Sequence, residues 1–368
     1  MDLEGLGSIV PMGRMQSSHV TPVDHTYFLP RSISEMEDQA AAFAAGAPAL
    51  PWDPGYDAYS PADGQITEIG TFPFRPAPAG YTGVVGNYRL VIWHSCTTYS
   101  IFIHTSTLSQ EILDVTGEIK SGDTWFPGRD GETVMVKAGQ ALGKVGTHGF
   151  DFGVHDTDVL LPGFVIPERY DGEPWKVHTV DPFAYFTEPL RSSLQGKSLR
   201  SASPQGGKID YDIDGRLVGN WFLDGTVDYS GQIDLSLCTD ELCNYWSGHL
   251  AIAYDHIDPD QVRISIGRDL GIDPEKCRVC QGVYAVSAGS PDPADVSVET
   301  GLVKYQLVAR DFVNRSENPE RTRPLEDQPL GVLLVQLEDD RTIRMEVIPD
   351  KTTGQVQGFS GAALVYRR

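Results

Sequence analysis

The sequence predicts an all-β protein built from two domains. The chain has 368 residues. This is longer than a domain with a single hydrophobic core usually is. It contains 38 glycines and 25 prolines spread between short apolar runs, as expected where many turns separate many short strands. Several of these runs alternate apolar and polar side chains with the period of two that a half-buried strand requires.

The first domain is predicted over residues 1–199, with an insertion at about residues 30–57. Inside the insertion, the segment SEMEDQAAAFAAGA predicts a short helix that ends near Gly46, and the prolines after it predict a loop. A further short helix is expected at 108–114. Strands are predicted by β-rich or alternating runs at residues 65–69, 88–93, 99–103, 134–145 (two strands around a turn) and 150–155.

The second domain is predicted over residues 200–368, after a polar stretch with Pro and Gly near its end. Short apolar runs recur there with turn residues between them, which predicts a β-barrel or a β-sandwich. No role for this domain follows from its sequence. The runs lie at residues 216–222, 249–254, 262–266, 283–286, 302–308, 332–337, 342–348 and 362–366.

The charge balance excludes two classes of partner. The chain carries 29 basic and 51 acidic side chains, for a formal net charge of −22. Such a surface repels phosphate backbones and anionic lipid, so we expect neither nucleic-acid binding nor docking on a membrane surface. No run of eighteen apolar residues occurs, so no membrane span is expected.

The cysteines leave three alternatives open. Four of the five are grouped in two pairs, Cys238 with Cys243 and Cys277 with Cys280, and Cys96 stands alone. The pairs are compatible with two disulfides, with a four-thiolate zinc site, or with free buried thiols. Disulfides imply an oxidising compartment. We therefore expect a secreted or cell-surface protein, although no secretion signal is visible at the start of this chain.

Six short motifs occur in a fixed order along the first half of the chain. His19 and Asp24 come first, followed by the turn and strand YSPADGQI and the strand LVIWH, which ends in His94. The strand YSIFIHT contains His104, the hairpin VKAGQALGKVG follows, and the strand FDFGV contains Asp151. In this order the motifs resemble the lysostaphin-like zinc metalloendopeptidases, which cleave peptidoglycan, over about residues 7–191.

The resemblance implies a barrel-sandwich hybrid fold and a zinc site in the first domain. In that family a His and an Asp of the first motif and the second His of a final His-x-His strand hold the metal. Carried over, His19, Asp24 and Asp151 become the metal ligands, with a carboxylate in place of the last imidazole and with His25 as an alternative to either His19 or Asp24. Three protein ligands leave one tetrahedral position for water, whose pKa zinc lowers to about 7.

The resemblance also implies catalytic histidines, and here the chain departs from the family. His104 occupies the position of a histidine that assists the water, and His94 a strand position beside the site. The first histidine of the final motif is replaced by Gly149. His148, one residue away, and His155, four residues beyond Asp151 on the same strand face, are the candidates to replace it.

Two functions from different classes follow from these motifs. One is a divergent zinc peptidase that hydrolyses peptide or peptidoglycan cross-links. The other is an inactive descendant that binds a peptide or cell-wall glycopeptide in the same groove, or acts as an extracellular structural protein. On the second hypothesis, His94 and His104 are core histidines with satisfied hydrogen bonds, and His155 is a loop residue. Oligomeric state and substrate are not determined by the sequence.

Overall fold

The structure is a computed structural model that describes residues 3–16, 19–31, 33–52, 55–128, 132–146, 149–231, 245–267 and 282–368. The chain divides into two compact units, and both are built mainly from strands, which confirms the all-β class. The first unit comprises Met1–Pro11, His25–Val159 and His178–Leu199. The second comprises Met12–Asp24, Leu160–Val177 and Arg200–Arg368. A division at residue 200 alone would have assigned the segments 12–24 and 160–177 to the first domain.

The first unit is organised around one sheet of eleven strands. Its main path runs β1-β2-β14-β10-β9-β5-β11, while β12 pairs with β5, β13 with β10 and β4, and β15 with β14. Two further sheets are separate from it and have two strands each: β3 pairs with β7, and β6 pairs with β8. The strands are β1 (Leu6–Val10), β2 (Thr26–Pro30), β3 (Leu50–Pro51), β4 (Tyr56–Tyr59), β5 (Gly64–Thr71), β6 (Arg75–Pro76), β7 (Tyr81–Thr82), β8 (Val84–Val85), β9 (Tyr88–Trp93), β10 (Thr98–Thr105), β11 (Thr124–Trp125), β12 (Val134–Val136), β13 (Ala141–Val145), β14 (Phe150–Asp156) and β15 (Thr179–Val180).

The core of this unit is aromatic where β2, β14 and β10 meet. Phe28 stacks on Phe150 with ring centroids 5.1 Å apart, and Phe102 lies 5.0 Å from Phe152. All four rings are buried, and each such pair adds about 1 kcal/mol beyond the burial of its surface. The three helices of the unit are α1 (Ile33–Ala44), α2 (Gln110–Thr116) and α3 (Leu190–Gln195). Both expected helices are present, and α2 begins two residues later than predicted.

The second unit contains a closed antiparallel barrel of the strands β16 to β23 in sequence order. Closure pairs β23 with β16, so the sheet formed by the described barrel strands has no open end. The barrel, rather than the sandwich, is thus the observed form. Its strands are β16 (Gly219–Leu223), β17 (His249–Tyr254), β18 (Val262–Ile266), β19 (Gly282–Val286), β20 (Val303–Asn314), β21 (Asn318–Asp339), β22 (Thr342–Pro349) and β23 (Leu364–Arg367).

Two barrel strands are much longer than the sequence predicts. β20 and β21 extend past their barrel neighbours, and residues 309–314 pair only with residues 318–325, forming what we call the distal hairpin. The predicted strands ended at 308 and began at 332, and the residues between them include three prolines, which a central strand disfavours. Pro319 and Pro324 are tolerated because the distal hairpin lies outside the barrel wall. Pro329 pairs with Val308 at a point where the register of β20 and β21 shifts.

Cys238, Cys243, Cys277 and Cys280 are not among the described residues, and Cys96 is a free, exposed cysteine. In the described part of the chain, no helix is both long and apolar enough to span a bilayer.

Candidate functional site

Two histidines and one aspartate of the first unit converge on one point. Oδ2 of Asp151 lies 3.2 Å from Nε2 of His25 and 3.5 Å from Nε2 of His104. The side chains of His25 and Asp151 are each 11% exposed, whereas that of His104 is 50% exposed. A nearly buried carboxylate is thereby stabilised by two imidazole groups, and one of them reaches solvent.

Strand order brings these residues together. β14 lies between β2 and β10 in the sheet, with Asp151 opposite Tyr27 of β2 and Ile103 of β10. His25 immediately precedes β2, and its ring packs edge-on against Tyr27 at 5.0 Å. Strand alternation directs Phe150 and Phe152, the neighbours of Asp151, into the core on the other face. The carboxylate flanked by phenylalanines in sequence therefore lies on the face away from the aromatic core.

A β-bulge directs His104 to the same place. The pairing of β10 with β9 shifts register between Ile103 and Thr105, so His104 is the extra residue. Its φ is +73°, a conformation that costs a non-glycine residue about 1–2 kcal/mol. Regular alternation would place residue 104 on the face opposite Asp151, and the bulge reverses this. Nδ1 of His104 is held by a 2.8 Å hydrogen bond with Oδ1 of Asn87, which orients the ring.

A groove of about 260 Å³ begins beside His104. Trp52, Asn87, Gly146 and Gly149 line it together with His104. Nε1 of Trp52 is buried and has no hydrogen-bond partner among the described residues, so it is a donor available to a ligand. The volume is below the roughly 300–1,000 Å³ of pockets that enclose whole small ligands. The groove suits part of an extended chain better than a compact molecule.

The residues predicted to bind zinc are divided between the two units. His19 and Asp24 belong to the second unit and Asp151 to the first. Asp24 is buried and accepts a 3.0 Å hydrogen bond from Nε1 of Trp175. Among the described residues, no group of three or more His, Cys, Asp or Glu side chains is arranged so that it could hold a metal ion. As placed, the residues do not fit zinc, and a zinc site with these ligands stays a prediction.

The other predicted histidines have different surroundings. His155 lies four residues along β14 from Asp151, about 13 Å at 3.3 Å per residue. It is buried, stacks on Tyr99 at 5.0 Å, and its Nδ1 lies 3.2 Å from Oγ1 of Thr179. It is a strand residue, not a loop residue, and belongs to a structural cluster rather than to the point where His25 and His104 meet. His148 lies outside the described residues.

His94 closes the turn between β9 and β10. Its ring nitrogens lie 3.0 Å from the carbonyl oxygen of Asp63 and 2.8 Å from Oγ of Ser100. Burial lowers the pKa of His94, and the Asp63 carbonyl opposes that shift. Both nitrogens are thus within hydrogen-bond distance of protein oxygens, although His94 is only partly buried and is not a core residue.

The sequence indicated His25 only as an alternative to His19 or Asp24, and it gave no indication of Asn87. His25 lies next to Asp24, and the two could not be ranked by spacing alone. Alternation was the available signal, because residues 25 and 27 share a face if residues 26–30 form a strand. Asn87 carries no motif signal, and its role depends on the bulge at His104.

Comparisons with known proteins identify no relative. No protein-family model, no curated protein and no solved structure matches this chain.

Proposed function

We propose that the first unit binds an extended peptide, or the peptide part of a cell-wall glycopeptide, in the groove beside His104. The groove carries this proposal, since it is lined by the half-exposed imidazole of His104 and by Trp52, whose buried indole N–H has no partner among the described residues. Arg75 lines the same groove, is exposed, and makes no ion pair among the described residues. It offers a cation to a peptide carboxylate.

The interior of the site supports binding rather than hydrolysis. Asp151 is engaged by two imidazoles, and the strained bulge at His104 is maintained by the hydrogen bond with Asn87. These contacts pre-order the wall of the groove, which reduces the entropy cost of binding. The family resemblance supplies the ligand class, a peptide or cell-wall glycopeptide.

Binding can be measured by co-sedimentation of the intact protein with insoluble bacterial peptidoglycan. We expect Trp52→Ala and Arg75→Gln each to lower the apparent affinity about fivefold or more, because both remove a group that contacts the ligand. Phe126→Ala is the matched control, since Phe126 is 60% exposed in the same unit and is not a groove residue. Failure of the unmodified protein to sediment, or an equal loss in Phe126→Ala, would contradict the proposal.

A second candidate function is zinc-dependent peptide hydrolysis, and one observation favours it. Two imidazole nitrogens lie 3.2 and 3.5 Å from one carboxylate oxygen, and these are ligand types that zinc prefers. As placed, these groups do not form a metal site. If His25, His104 and Asp151 held zinc, the ion would supply a Lewis acid that activates water.

Metal analysis separates the two functions. After dialysis against zinc and removal of the excess, the binding hypothesis expects far less than one zinc per chain and no soluble peptide released from peptidoglycan. About one zinc per chain, with peptide release that His104→Ala abolishes, would establish the second function in place of the first.

A further inference from the structure

A second cavity lies wholly within the second unit and has a different chemistry. Its volume is about 440 Å³, within the range of pockets that hold small molecules. Arg14, His256 and three side chains of the distal hairpin, Arg310, Phe312 and Arg315, contribute to its wall. The chain has a net charge of −22, so the gathering of three arginines around one cavity runs against its overall composition.

One carboxylate lies among these cations. Oε1 of Glu320 is 3.3 Å from a guanidinium nitrogen of Arg14, and Oε2 is 3.7 Å from Nε2 of His256. His256 is nine-tenths buried, and its Nε2 makes no hydrogen bond among the described residues. Glu320 therefore makes a direct ion pair with only one of the three arginines of the cavity, Arg14.

Arg310 is one of the two cavity arginines that no carboxylate contacts directly among the described residues. Among the described residues its guanidinium makes no hydrogen bond and no ion pair. Residue 310 is exposed overall, yet burial of its guanidinium lowers the pKa of Arg310. The positive charge of Arg263 lowers this pKa further, while Asp255 and Glu320 oppose the shift. An anion in the cavity would relieve this loss of solvation.

Arg315 is oriented by an aromatic ring. Its guanidinium carbon lies 3.7 Å from the centroid of Phe312, a cation–π contact that leaves the in-plane N–H donors free to meet an anion. Alternation in the distal hairpin, where Arg310 pairs with Pro324 and Asp311 with Arg323, places Arg310 and Phe312 on one face. Asp311 and Arg323 lie on the opposite face.

We propose that this cavity binds a small organic phosphate. A phosphate monoester carries more than one negative charge and has three terminal oxygens, which match donors that arrive from three separate arginines. The cavity exceeds what a bare phosphate needs, and the apolar side chains of Met15 and Phe312 line it as well. These side chains suit the organic part of the ligand.

The proposal can be tested by calorimetric titration of the intact chain with phenyl phosphate. We expect saturable binding that is tighter than that of inorganic phosphate or benzoate, no binding of phenol, and weakening with salt. Arg310→Gln should reduce the affinity for phenyl phosphate by about tenfold or more. Arg323→Gln is the matched control, because it removes the same charge from the same hairpin on the other face, and it should change the affinity less than about twofold.

Three results would overturn the proposal. They are the absence of saturable phenyl phosphate binding, equal weakening in Arg310→Gln and Arg323→Gln, and benzoate binding as tightly as phenyl phosphate. If Arg310→Gln does not fold, Arg315→Lys takes its place, since Arg315 is exposed on the hairpin. That variant keeps the charge but removes the planar fork, so a several-fold loss of affinity is expected and an unchanged affinity would count against the site.

Discussion

Acidification from pH 7 to pH 4 is expected to lower the free energy of unfolding of the second unit by about 3 kcal/mol through His249 alone. His249 is buried among aromatic rings, with Phe222 at 5.2 Å and Tyr229 at 5.0 Å, and its Nε2 lies 3.0 Å from the carbonyl oxygen of Tyr229. Burial lowers the pKa of His249 from its ordinary 6.5 to about 3, and the Tyr229 carbonyl opposes this shift.

The sign follows from proton binding in the two states. Below pH 6.5 the unfolded chain takes up a proton at residue 249, while the folded protein does not until about pH 3. The contribution of His249 is therefore complete above pH 6.5 and is lost as the pH falls towards 3.

The measurement is urea denaturation of the unmodified protein and of His249→Gln at pH 7 and pH 4. The difference between the two pH dependences does not contain the contribution of the carboxylates, which also titrate in this range but are the same in both proteins. His178→Gln is the matched control, because Nδ1 of His178 also lies within hydrogen-bond distance of a backbone carbonyl oxygen, that of Val159. This variant leaves His249 unchanged. Parallel pH dependences for the unmodified protein and His249→Gln would contradict the prediction.

Substitution of Gly149 by alanine is expected to destabilise the first unit by about 3 kcal/mol or more. Gly149 lies at the groove just before β14 with φ +74°, and an added Cβ would fall 2.0 Å from the carbonyl oxygen of Phe28. Backbone atoms of β2 cannot yield without disturbing the strand that follows His25. Loss of peptidoglycan binding should accompany the loss of stability.

Gly139→Ala provides a close control for this prediction. Gly139 lies in the turn between β12 and β13 with nearly the same φ, +77°, but nothing lies within 4 Å of its added Cβ. Only the backbone strain remains there, and a cost of about 1 kcal/mol is expected. Equal destabilisation of the two variants in thermal or urea unfolding would show that the contact with Phe28 does not matter.

The sequence predicted the strands best where an apolar pattern repeats over short distances. Runs at residues 249–254 and 262–266 coincide with β17 and β18. The first is a short, nearly continuous apolar run and the second alternates apolar and polar residues, and both patterns indicate a strand without tertiary information. The distal hairpin was missed for the converse reason. Its side chains are polar or exposed and its prolines argue against strands, and only pairing between β20 and β21 shows them to be extended.

Within the candidate site, the sequence determined which chemical groups were present, and the tertiary structure decided which of them meet. His104 and Asp151 were selected from their strands and do converge, whereas His25 joins them only because β14 lies between β2 and β10. Likewise, Arg14 and Arg310 are separated by nearly 300 residues, and no local pattern links them to one cavity. Periodicity along a chain reports burial, but convergence of side chains depends on strand order and on bulges, which are set by the packing of segments distant in sequence.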